Sequence, residues 1–147
     1  MPGSSLSRQL LSTGTVFYYR DFEGHTETKD RYFIIIGCDD VSFFCFTTST
    51  SPTLINHRYL SSQVTPLIPQ GAECFRKACV VDCTELHAFD DILLSNYLNS
   101  RRVTVEGTLS EERLTWIAKT VRDSTVLSER EQSVVRRALH LFWNNCD

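Results

Sequence analysis

Residues 30–49 (DRYFIIIGCDDVSFFCFTTS) constrain the fold of this chain more than any other segment. Two runs of β-branched and aromatic residues flank Asp39-Asp40, with polar residues at the break and at both ends, the pattern of a β-hairpin. With Asp39 and Asp40 as a two-residue loop, Cys38 pairs with Val41, Gly37 with Ser42, Ile35 with Phe44 and Arg31 with Thr48. Directly opposed residues share a face, with Cβ atoms about 5 Å apart. This register sets a permanent cation beside a hydroxyl at the open end of the hairpin, an arrangement suited to gripping a phosphate. Asp-Asp is a weaker primed turn than Asn-Gly, and a one-residue change in the loop brings Thr47 to that face instead. Arg31 with Thr48, or with Thr47, is therefore the first candidate pair.

At 147 residues, 41% of them hydrophobic, the chain has the material for one domain with a real core. No apolar run approaches the roughly 20 residues that cross a bilayer, so no membrane span is expected. Residues 1–11 hold one arginine and no long apolar stretch, unlike a secretory signal. Of the six cysteines, Cys38 and Cys45 fall in or beside the apolar hairpin, where a thiol behaves as a small hydrophobe. The simplest reading is a reduced, cytoplasmic chain. A formal net charge of −3 supplies no global basic field, so any anion binding must be local.

Along the chain, residues 1–12 are Ser-rich and polar and read as a loose arm before a single domain over 13–147. A first strand is expected over 14–19, a polar loop over 20–29, and then the hairpin. Residues 50–62, with Pro52, Asn56 and His57, read as a second loop, and 64–68 as a short strand limited by Pro66 and Pro69. A strand over 78–83, one or two helical turns over 90–97 and a strand over 102–108 follow. The period then changes. Ser110, Glu111 and Glu112 open a helix whose buried stripe is Leu114, Ile117 and Val121. Ser128-Glu129-Arg130-Glu131 is a capping box opening a second helix that would bury Val134 or Val135, Ala138, Leu141 and Phe142. Strands followed by helices argue for an α+β fold, a small, strongly bent antiparallel sheet packed by two C-terminal helices.

Several of these pieces together resemble a known family. They are Gly14-Thr15-Val16-Phe17, Lys29-Asp30-Arg31 before a β-branched run, Thr48-Ser49 closing the next strand, ACVVDCTEL at 78–86, and Gly107-Thr108-Leu109-Ser110 leading into a helix. In order and spacing they resemble the PemK/MazF-like toxins of type II toxin–antitoxin systems, from residue 14 to residue 121. Two positions depart from that family's pattern: its acidic residue after the first glycine is Thr15 here, and its proline after the arginine is Tyr32. The helix from Ser128 extends beyond the family core. The resemblance implies an SH3-like β-barrel with terminal helices, a homodimer, and an antitoxin protein whose peptide covers the active groove. It also implies an endoribonuclease that cuts single-stranded RNA without a metal or other cofactor. The family's catalytic arginine and threonine map to Arg31 and Thr48.

Such cleavage uses the adjacent 2′-OH as nucleophile and requires one proton taken, one given, and stabilisation of charge on the phosphorane. Arg31 is expected to bind the phosphate and stabilise that charge, and to transfer a proton if its site perturbs it, with Thr48 as a second donor. Lys29, Thr47, Ser49, His25 and His57 are the candidate substrate-binding residues around them, the histidines being able to carry a proton near neutral pH. Tyr18, Tyr19 and Phe22 are candidates for stacking bases, whereas Phe17 is most simply core. The set Cys74, Cys79, Cys83 and His87 invites a zinc reading that fails on distance. In a strand, Cys79 and Cys83 stand about 13 Å apart, against Zn–S bonds of about 2.3 Å. The sequence lacks a P-loop, a nucleophile elbow and a His-Glu-x-x-His motif. The alternative function is an inactive or altered SH3-like binding module contacting protein or DNA, towards which Thr15, Tyr32 and the acidic net charge weigh.

Overall fold

The computed structural model describes residues 5–51 and 63–144; the candidate His57 lies outside them. Strands β1 (Thr15–Glu23), β2 (Thr28–Cys38), β3 (Ser42–Ser49), β4 (Val80–Asp90) and β5 (Val103–Thr108) form one antiparallel sheet. Its order is β4-β3-β2-β1-β5, which leaves β4 and β5 at the edges. The helices are α1 (Leu6–Leu10), α2 (Asp91–Ser100), α3 (Glu111–Arg122), α4 (Glu129–Ala138) and α5 (His140–Trp143). The fold is α+β. Among the described residues no helix is long and apolar enough to cross a membrane.

Residues 33–37 of β2 are all buried, and a strand buried at consecutive positions needs cover on both faces. Side chains alternate between two cores accordingly. Ile34, Ile36, Val16 and Phe46 face Ile117 and Val121 of α3 and Val135 of α4. Phe33, Ile35, Phe17 and Phe43 face the other way, with Leu94 of α2 and Leu11. Each large side chain so buried contributes about 1.5–3 kcal/mol.

The hairpin forms in a different register from the expected one. The Asp39 carboxylate accepts the N–H groups of Val41 at 2.9 Å and Ser42 at 2.8 Å, while the Asp39 N–H donates to the Ser42 carbonyl at 3.0 Å. A side chain thus closes a longer loop that needs no primed dipeptide. Cys38 pairs with Phe43 and Gly37 with Phe44, and a bulge between Ile35 and Gly37 then gives Ile35–Cys45 and Phe33–Thr47. The pairing of Arg31 with Thr48 is not made. The bulge also brings β2 hard against α4: a Cβ built on Gly37 would lie 2.7 Å from the Ala138 Cβ. Gly37→Ala is therefore expected to destabilise the protein by about 1–3 kcal/mol in urea unfolding, the range for overpacking, with Ala138→Gly recovering part of the loss.

Residues 5–12, expected to belong to a loose arm, are docked. The Ser5 hydroxyl caps α1 by accepting the Arg8 N–H at 3.3 Å. Ser7 is fully buried and donates to the Asp91 carbonyl at 2.9 Å. Arg8 Nε lies 3.1 Å from Asp91 Oδ2. The segment 64–68 makes isolated bridges, Val64 to Asp82 and Ile68 to Cys79, in place of a strand, as Pro66 between them lacks an N–H. β4 runs seven residues beyond its expected end at 83, because its register with β3 breaks between Cys45–His87 and Thr47–Asp82 and hides the alternation. The helix starts expected at Ser110 and Ser128 are present, the second with both halves of its capping box. Leu114, Ile117 and Val121 are buried, and Val135 is the buried valine. Leu141 is 70% exposed, since the helix breaks at Leu139 and turns the following residues outward.

Candidate functional site

The last pair of the β2–β3 ladder is Phe33 with Thr47; just beyond it, where β2 begins and β3 ends, a cavity of about 400 Å³ opens. Lys29, Arg31, Thr48 and Ser49 line it, joined by Arg76 and Lys77 from the irregular segment that precedes β4. Tyr18, Tyr32 and Phe75 form its aromatic wall. Tyr18 and Tyr32 are register partners in β1 and β2, with ring centroids 4.8 Å apart edge to face, and Phe75 meets Tyr32 at 5.4 Å. The Arg76 guanidinium lies 5.7 Å from the Tyr18 ring centroid. Asp30 is the single carboxylate among the described lining residues, against four cations. A local positive field therefore sits on a chain whose net charge is −3.

Asp30 is held in place by two donors. Its Oδ1 accepts the Asp21 N–H at 2.9 Å and its Oδ2 accepts the Tyr18 hydroxyl at 3.0 Å. The Asp21 amide first, and then the Tyr18 hydroxyl, keep the Asp30 carboxyl below its ordinary range. Burial and Asp30 push Tyr18 up, and burial does the same to Tyr32. Asp21 itself adopts a left-handed conformation (φ 56°) where the β1–β2 register shifts between Tyr19 and Phe22. The Asp30 carboxylate thus also steadies a bulge. Cys79, another lining residue, has its thiol pushed up to about 12 by burial, which removes it as a nucleophile.

The candidates divide between two faces of the sheet. Tyr32 packs on the first core and Phe33 on the second, so alternation puts Arg31 on the face of the second core. Phe46 belongs to the first core, so Thr48 stands on that face. Both reach the cavity because it lies at the strand ends. Thr47 is buried and donates its hydroxyl to the Tyr32 carbonyl at 2.8 Å, which engages it in the backbone rather than the cavity. Arg31 Nη2 lies 3.8 Å from Glu27 Oε1, and Lys29 Nζ lies 3.1 Å from the same oxygen. Exposed pairs of this kind are worth at most about 1 kcal/mol, so a phosphate can displace Glu27.

His25 is not in the cavity. Its Nε2 lies 3.1 Å from Glu85 Oε1, linking the β1–β2 turn to β4. The second Glu85 oxygen is 3.8 Å from His87 Nε2. His87 packs among Phe22, Phe33 and Phe89. Burial lowers its affinity for a proton, Glu85 and Asp82 oppose that shift, and Arg31 and His25 reinforce it. Cys79 and Cys83 belong to the first core and His87 to the second face, so the sheet itself divides the cysteine–histidine set considered for zinc.

Sequence reasoning missed Asp30, Phe75, Arg76, Lys77 and the ring of Tyr32 as site residues. The Phe75-Arg76-Lys77 run was the available signal, an aromatic beside two cations in a segment without periodicity. The cavity can hold a phosphate between fixed cations and set a planar group against aromatic rings. Among the described residues no histidine lines it. No protein-family model matches the chain, and no curated protein matches it either.

Proposed function

We propose that the chain is a metal-independent endoribonuclease of the toxin type, a divergent PemK/MazF-like protein that holds single-stranded RNA in the cavity at the β2–β3 strand ends. One observation carries the reading: Arg31, Lys29, Thr48 and Ser49, singled out from sequence, meet two further cations and three aromatic rings in a single cavity. In this mechanism the 2′-OH gives its proton to solvent water as it attacks the adjacent phosphorus, the bond to the 5′-oxygen breaks with that oxygen taking a proton from water, and a 2′,3′-cyclic phosphate remains. Arg31 and Arg76 donate to the phosphorane oxygens, Lys29 and Lys77 add charge, and the Thr48 or Ser49 hydroxyl supplies a further donor. The same reading carries a finer fold expectation, a sheet bent towards an SH3-like barrel. It further carries a cytoplasmic homodimer and neutralisation by an antitoxin protein that competes for the cavity.

The test is incubation of the purified protein with single-stranded RNA in excess chelator. New ends bearing 2′,3′-cyclic phosphate are expected, and RNA left intact by folded protein would reject cleavage. A second reading, a module that binds without cutting, is favoured by the placement of His25 and His87 against Glu85 rather than in the cavity. This is the inactive or altered module contacting protein or DNA, and it predicts RNA left uncut in the same experiment.

A further inference from the structure

We propose that Asp30 makes the cavity select guanine, by accepting on its carboxylate the two parallel donors of the guanine Watson–Crick edge. This rests on the nucleic-acid reading of the cavity and names the base that it takes. Asp30 is exposed and lines the cavity beside Tyr18, Tyr32 and Phe75, so a base set against those rings brings its edge to the carboxylate. An ionised carboxylate offers about four lone-pair sites, two on each oxygen. The Asp21 N–H occupies one site on Oδ1 and the Tyr18 hydroxyl one site on Oδ2. About one accepting site on each oxygen remains.

Guanine alone among the four bases presents two adjacent donors there, N1–H and the N2 amino group. Adenine and cytosine present an amino group next to a ring acceptor, and uracil one N–H between two carbonyls. Each of these three sets an acceptor lone pair against a negative oxygen. The remaining charges suit the rest of a nucleotide: Lys29, Arg31, Arg76 and Lys77 surround the same space and take phosphates on either side of the base. The carboxylate is held by two donors before any ligand arrives, so reading the base requires little reorganisation.

The experiment is a calorimetric titration of the full chain with the 5′-monophosphates of guanosine, inosine, adenosine, cytidine and uridine, repeated with Asp30→Asn. The amide oxygen of Asn can still accept the Asp21 N–H, so the bulge is kept, which the melting temperature checks. GMP is expected to bind at least about tenfold more tightly than AMP, CMP and UMP, the scale of one bidentate base contact. IMP, which lacks only the N2 amino group, should lose most of that advantage. Asp30→Asn should bring GMP down to the level that the other nucleotides share. If IMP matches GMP, or all five bind the natural protein equally, guanine selection by Asp30 is overturned and the nucleotide cavity stands. If none binds, both fall.

Discussion

Arg31→Ala is expected to slow RNA cleavage by about 10²–10³-fold, equivalent to losing roughly 3–4 kcal/mol of transition-state stabilisation. Charge on the phosphorane oxygens exceeds that on the ground-state phosphate, so the loss should fall on kcat more than on KM. The folded protein should survive the change. The ion pair of Arg31 with Glu27 is 3.8 Å long and Glu27 is half exposed, so the pair adds little stability. Arg31→Lys keeps the charge but not the planar fork of donors and should fall between the two. Single-turnover cleavage of one short RNA by the three proteins measures this directly. Equal rates for all three would remove Arg31 from the chemistry.

Phe33→Ala carries the largest expected effect on stability, about 3–5 kcal/mol. The side chain is fully buried, with ring centroids 5.6 Å from Phe17, 5.0 Å from Phe22, 5.0 Å from Phe89 and 5.3 Å from His87. These partners lie on β1 and β4, so one ring ties three strands together on the face covered by α2. Phe33 is also in the last β2–β3 pair before the cavity. Its loss should loosen the strand ends that carry Arg31 and Thr48, lowering RNA affinity along with the urea midpoint. A destabilisation below about 1 kcal/mol would mean that the aromatic cluster is not the organising contact of that face.

What the sequence could reveal depended on whether a local signal decided the outcome. The helix starts at Ser110 and Ser128 were legible because a cap is a contact between neighbours in sequence. The two strands of the hairpin were legible from their apolar runs. Their register was not, because the Asp39 carboxylate closes the loop and a bulge shifts the pairing, and neither is set by the alternating pattern. Arg31 and Thr48 therefore line one cavity, but not as the directly opposed pair that the expected register implied. The docking of residues 5–12 depends on Asp91 and Ser95, more than eighty positions away. Arg76 and Lys77 reach the cavity through a segment held by single bridges, where no period exists to be read.

The most direct test of the central claim is the salt dependence of single-stranded RNA binding by Arg76→Ala and Arg130→Ala. Both variants remove one positive charge, but Arg76 lines the cavity and Arg130 lies exposed on α4. For single-stranded nucleic acid each phosphate contact contributes about 0.7 to the slope of log K against log salt. Arg76→Ala is expected to lose about that much slope together with affinity, while Arg130→Ala binds as the natural protein does. Equal losses in both variants, or none in Arg76→Ala, would contradict a cavity that holds RNA.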